Sequence, residues 1–123
     1  PKDHVDGAVE ATTALRALDA DRVLLVGNGE NPQLTWYLQG ADIGWVLGEE
    51  RRYERLEPRA QGVEAIRSRA GQLADTTRVA LLIVQDALTE GVYRSPRDVL
   101  PGGFHIILTT RRYVVAGEGE LLP

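Results

Sequence analysis

The sequence predicts an α/β fold: a three-layer sandwich with a mostly parallel sheet of four to five strands and helices on both faces. Three observations predict it. Apolar runs of strand length recur along the chain, from Val23 to Val26, Ile43 to Leu47, Arg78 to Val84 and Phe104 to Thr110. Such runs are what strands covered on both faces require. Segments of helical period separate them, so the elements alternate α, β, α, β, the order of a sheet built from crossover units. Finally, the stretch from Arg22 to Gly40, RVLLVGNGENPQLTWYLQG, reads as strand, glycine turn and short helix, and the remaining elements are arranged around that corner.

Taken in order, Val5 to Leu18 is expected to be a helix, with Val5, Ala8, Val9, Thr12, Leu15 and Leu18 near one face. Asp19 to Asp21 connect it to the first strand. In the corner, Gly27, Asn28 and Gly29 make the turn because glycine allows positive φ and close approach. Asn31 sits where an N-cap belongs, Pro32 takes the first helical position, and Gly40 ends the helix. The run from Ile43 to Leu47 is the expected second strand, parallel to the first. The charged stretch from Arg51 to Glu57 is left between a loop and the lead-in to a helix. Pro58 marks a helix start, and Val63, Ile66, Ala70 and Leu73 form its stripe, weakened at Gly62 and Gly71. Ser95-Pro96 starts a short helix through Leu100, and Pro101-Gly102-Gly103 is a tight turn. Arg111 to Gly117 adds an antiparallel edge strand.

Composition narrows the function. A chain of 123 residues is expected to form one domain, residues 1–123, with a core of its own. The absence of cysteine excludes disulfides, thiolate catalysis and cysteine zinc sites. No apolar run approaches the roughly 20 residues of a membrane span, so a cytoplasmic protein without membrane contact is expected. A net charge of −4 argues against a nucleic-acid partner. His4 and His105 are too far apart for a metal motif, and no metal is expected. The turn from Gly27 to Asn31 lacks the lysine and hydroxyl of a phosphate-binding NTPase loop.

In open α/β sheets ligands bind outside the carboxyl ends of the strands, near the point where strand order reverses. The residues expected there are Gly27, Asn28, Gly29, Glu49, Gln85, Asp86, Thr109 and Thr110. Each has a bland reading beside the functional one. The glycines simply turn strand into helix, Glu49 and Glu50 are a solvated charge pair, and Asp86 is a polar strand end. His105, in a strand, is expected to be packed or half-exposed. Trp36, Tyr37 and Trp45 are either core or a partner surface, since Trp36 and Tyr37 are adjacent on a helix and cannot both face one core. Arg51-Arg52 and Arg111-Arg112 build an anion site if the fold unites them; separate solvated faces are the expectation.

Two stretches together resemble the class I S-adenosylmethionine-dependent methyltransferases, whose domain is Rossmann-like. One is the first strand and turn, VLLVGNGEN; the other is DVLPGGFHIILTT, from Asp98 to Thr110, similar to the family's short helix, Pro-Gly-Gly turn and following strand. The runs IGWVL and RVALLIVQDAL stand at the family's second and fourth strand positions, and the likeness covers about residues 5 to 110. It implies S-adenosylmethionine as cofactor, bound by Gly27, Asn28, Gly29, Glu49 and Asp86. The sequence also departs from the pattern. Leu25 occupies the place of an acid at the end of the first strand, and Asn31 that of the third glycine. Leu47 matches the carboxylate that accepts from the ribose hydroxyls, with Glu49 two residues on. The acid before the fourth strand falls near Ala80. Leucine leaves buried hydroxyls unpaired, at a cost of about 1–3 kcal/mol.

The expectation is therefore a methyltransferase-like domain, reduced and non-catalytic, with a degenerate cofactor site. It would act as a scaffold or partner subunit, as a homo-oligomer or with another protein, or as a small-ligand binder. The alternative is an active S-adenosylmethionine-dependent methyltransferase acting on a small molecule or a protein. No catalytic residue is assigned.

Overall fold

A computed structural model describes residues 7–27, 53–85 and 91–118. Their sheet has five strands: β1 (Arg22–Val26), β2 (Tyr53–Leu56), β3 (Val79–Val84), β4 (Phe104–Thr109) and β5 (Tyr113–Glu118). The spatial order is β2-β1-β3-β5-β4. β1 pairs in parallel with β2 and with β3, whereas β5 pairs antiparallel with both β3 and β4. The sheet is thus mixed, with two parallel and two antiparallel pairs, which overturns the expected mostly parallel Rossmann-like sandwich.

The reason lies in the last connection. Only Arg111 and Arg112 separate the paired residues Thr110 and Tyr113. A parallel return needs a dozen or more residues, so β4 and β5 must form a hairpin. β5 is not the expected edge strand either. From Tyr113 to Gly117 it is buried on both faces, and it is inserted between β3 and β4. The half-exposed β4 forms the edge instead. Within β4, Ile106 faces Ala116 and Leu108 faces Val115, leaving Ile107 as an extra residue. This bulge puts the consecutive residues Ile107 and Leu108 against the same side of the sheet.

Two clusters cover the two faces. On one, α1 (Ala8–Leu18) lays Ala8, Ala11, Thr12 and Leu15 on the sheet, the spacing of a single helical stripe. Val9, expected on that stripe, is 48% exposed. Small residues let α1 sit close: a Cβ at Gly117 would stand 2.8 Å from Leu18 Cδ2. This face also buries Val23, Leu25, Ala80, Leu82, Val84, Tyr113 and Val115. On the other face, Ile66 and Ala70 pack with Leu24, Val26, Leu56, Leu81, Ile83, Val114 and Ala116.

The helical segment after β2 is broken in two, α2 (Pro58–Gln61) and α3 (Val63–Ala74), because Gly62 adopts φ 84° and ψ 159°, outside the helical region. Ser95 caps a 3-10 turn, Pro96–Val99, by accepting from the Arg97 amide at 3.2 Å. Asp98 Oδ2 accepts in return from the amides of Arg94 and Ser95.

β2 itself falls in the charged stretch from Arg51 to Glu57, which the sequence left as loop or helix lead-in. Its tetrapeptide YERL holds one core residue, Leu56, too few to read as a strand. Glu54 is anchored instead by a two-point contact with Arg69 of α3, at 2.8 and 2.7 Å. That fork holds the Glu54 carboxyl below its ordinary value of 4.5, chiefly through the Arg69 hydrogen bonds. The expected strand from Ile43 to Leu47 lies outside the described residues, as do Trp36, Tyr37, Trp45, Arg51 and Arg52.

Candidate functional site

The parallel strands β1, β2 and β3 end at one edge of the sheet. β4 points the same way, because both it and β3 run antiparallel to β5. From β1 the chain passes to β2 on one side, while β3, on the other side of β1, leads on to β4 and β5. Strand order therefore reverses at β1, and the β1–β3 crevice at this edge is the switch point at which α/β sheets receive ligands.

Gly27 sits at this crevice. Its amide donates to Leu56 O at 3.0 Å, extending the β1–β2 ladder by one residue. Its backbone is not left-handed, contrary to the positive φ expected of the turn. The close approach expected of it is present: a Cβ would stand 3.1 Å from Val84 Cβ, which is fixed close to the β3 backbone. Gln85 follows β3. Its amide donates to Arg112 O at 2.6 Å, and its side-chain Nε2 reaches Thr110 O at 3.4 Å. Thr110 secures the hairpin: its amide donates to Tyr113 O at 2.8 Å and its hydroxyl oxygen accepts from the Tyr113 amide at 3.0 Å.

The structure thus brings Gly27, Gln85, Thr109 and Thr110 to one edge, as expected. Asn28, Gly29, Glu49 and Asp86 lie outside the described residues. Two residues escaped the sequence reading, Val84 and Gly7, while Arg111-Arg112 was read as an anion site only if the fold united it with Arg51-Arg52, which lie outside the described residues. Val84 sets the closeness of the crevice. Gly7, with φ 81°, leaves room for Thr110, whose Oγ1 would collide with a Cβ there. Arg111 and Arg112 form the hairpin tip, leaning on the end of β3 through the Arg112–Gln85 bond. The available signal was the two-residue spacing between paired strands, which forces a hairpin and carries the arginines to this edge.

Position 25, where the methyltransferase pattern has an acid, is a core position. Leu25 is 7% exposed and belongs to the cluster beneath α1. His105 lies near the opposite edge, paired with Gly117, and is exposed. Glu57, which follows β2, is exposed and 3.9 Å from the Arg55 guanidinium. Among the described residues, no group of three or more His, Asp or Glu side chains is placed to hold a metal. No helix among them is long and apolar enough to cross a membrane.

A depression of about 490 Å³ occurs at the other edge of the sheet, lined by Asp19, Asp21, Ala74, Thr76, Thr77, Arg78 and Glu118. It is wide open, and Asp21 and Arg78 are already engaged with each other: Arg78 O accepts from the amides of Asp21 and Arg22, and Asp21 Oδ2 accepts from the Arg78 amide. It lacks the apolar walls that a small-molecule site uses. The switch crevice is the better candidate on topology.

No protein-family model matches the chain, and neither a curated protein nor a solved structure matches it. The reading of the site rests on its own geometry.

Proposed function

We propose that this domain binds a small ligand at the carboxyl edge of its sheet, over the β1–β3 crevice, without performing chemistry on it. The observation that carries the reading is the make-up of that edge. Gln85, Thr109 and Thr110 stand at this edge, Gln85 and Thr110 tied to the β4–β5 hairpin, beside a crevice kept narrow by Gly27. On the α1 face, Leu25 and Val84 near the ends of β1 and β3 are each 7% exposed, so among the described residues the floor beneath the edge is apolar. Such groups orient a ligand. They supply neither a nucleophile with its base nor a general acid within reach of one.

The likeness to methyltransferases selects the first ligands to test. Thermal unfolding is measured with S-adenosylmethionine, S-adenosylhomocysteine and adenosine, for the native chain and for Gly27→Leu. A ligand at about 100 times its dissociation constant stabilises by about 2.7 kcal/mol, a rise of several degrees for a domain of this size. The expected result is a rise with at least one of the three, lost in a folded Gly27→Leu variant, and no methyl transfer to water-soluble acceptors. No rise with any of them, or a rise that survives Gly27→Leu, overturns the site. Turnover of S-adenosylmethionine overturns the non-catalytic reading and establishes the methyltransferase alternative.

A further inference from the structure

We infer that the ligand of this edge carries an oxyanion, a phosphate or a carboxylate, and that Arg111 and Arg112 at the tip of the β4–β5 hairpin bind it. The inference rests on the ligand-binding reading above and names the chemistry of the ligand.

The first support is placement. Gly27, Val84 and Tyr113 lie side by side on neighbouring strands, since Val26 pairs with Ile83 and Val84 with Tyr113. Two strand spacings of about 4.8 Å put the hairpin tip about 10 Å from Gly27, within the span of a small ligand that also touches an extended arginine. The tip does not swing free of the sheet. Arg112 O accepts from the Gln85 amide at 2.6 Å, and Thr110 closes the turn with two bonds to Tyr113. The guanidinium groups therefore project from a fixed base.

The second support is that the fold does not require arginine there. Two-residue hairpin turns favour Asn-Gly, because positive φ at both positions matches the twist of the strands. Neither Arg111 nor Arg112 has positive φ, and Thr110, through its hydroxyl, performs the closure. The turn therefore asks for no glycine or asparagine at either position, and it sets two like charges side by side while Thr110 supplies the closure.

The third support is the state of their charges. Arg69 is engaged by Glu54 at 2.7 Å, and Arg55 stands 3.9 Å from Glu57. Arg111 and Arg112 are both exposed, and neither forms an ion pair among the described residues. Neighbouring guanidinium forks suit oxyanions, which they grip through paired N–H bonds. In a chain of net charge −4 this is a local reversal of sign, so a general attraction for anions does not explain it.

The test uses the full chain and three variants: Arg111→Ser with Arg112→Ser, Arg111→Lys with Arg112→Lys, and Arg94→Ser with Arg97→Ser as a control at exposed arginines elsewhere. Binding of pyrophosphate and of malonate is measured by calorimetry at constant ionic strength, and circular dichroism checks folding. Pyrophosphate, malonate or both should bind the native chain and the control equally. Affinity should fall at least about tenfold in the serine pair, as losing a charge-assisted contact requires, and recover only partly in the lysine pair. Whichever anion binds more tightly identifies phosphate or carboxylate as the source. Equal binding by the serine pair and the native chain overturns the inference, as does failure of both anions at millimolar concentration. Uncharged adenosine separates the two levels. Adenosine binding that requires Gly27, with no anion binding, leaves the edge as a site and removes the oxyanion. Failure of adenosine and of both anions removes both.

Discussion

Replacing Leu25 with aspartate tests whether this position is part of the core, and it places there the acid that the methyltransferase pattern has. Leu25 is 7% exposed within a cluster that includes Leu15, Leu82 and Val115. Losing a buried leucine side chain costs about 1.5–3 kcal/mol. Leaving a buried carboxyl without partners adds about 1–3 kcal/mol. Leu25→Asp should therefore destabilise by about 4 kcal/mol, a large part of the 5–15 kcal/mol typical of a domain. With a urea slope of about 2 kcal/mol/M, the unfolding midpoint should drop by about 2 M. The loss should also depend on pH. Burial disfavours the charged form and raises the carboxyl pKa in the folded state, so the penalty is smallest near pH 4 and grows as the pH rises above about 3.9, the unfolded value. Leu25→Asn, similar in shape and without charge, should lose stability with no such slope. Urea titrations of both variants beside the native chain provide the assay. A loss below about 1 kcal/mol, the scale of an ordinary surface substitution, would show that side chain 25 faces solvent or ligand. Position 25 would then be open to a ligand at this edge.

Two further outcomes follow from the same structure. Gly7 adopts φ 81° against Thr110, so Gly7→Ala should cost about 1–2 kcal/mol from the left-handed backbone, and more from displacing Thr110. A thermal midpoint within a degree of the native one would refute the contact. Glu54→Gln should flatten the acid limb of stability. The folded pKa lies below 4.5, so the contribution of the Glu54–Arg69 fork is full above that pH and is lost as the pH falls below it. Chemical denaturation on both sides of pH 4.5 should show a steeper decline for the native chain, and equal slopes would refute the pairing.

How much was legible varies by element. Val79–Val84 was legible because six consecutive buried apolar residues admit few other readings. The α3 stripe was legible through its three–four spacing, with Ile66 and Ala70 fully buried. β2 was not. Its place depends on the backbone ladder to β1 and on Arg69, fifteen residues along the chain. β5 was read as a strand, but not as an interior one. At the site, Gly27 was read for two properties, and the close approach is realised while the positive φ is not. Its neighbour Val84 is distant in sequence, so no local pattern reveals which residue makes that approach.

By itself the sequence determined which runs are apolar enough to be buried, which stripe a helix lays on the core, and where glycine weakens a helix. Those properties are set by neighbours along the chain, through periodicity and glycine conformations. The tertiary structure decided that β5 enters between β3 and β4, making the sheet mixed, and that the Arg111-Arg112 tip rests on the end of β3. Strand order and sheet edge arise from pairings between segments tens of residues apart. The energies of alternative pairings differ through packing, such as Gly117 beneath Leu18 and Gly27 beside Val84, which only the folded chain brings together.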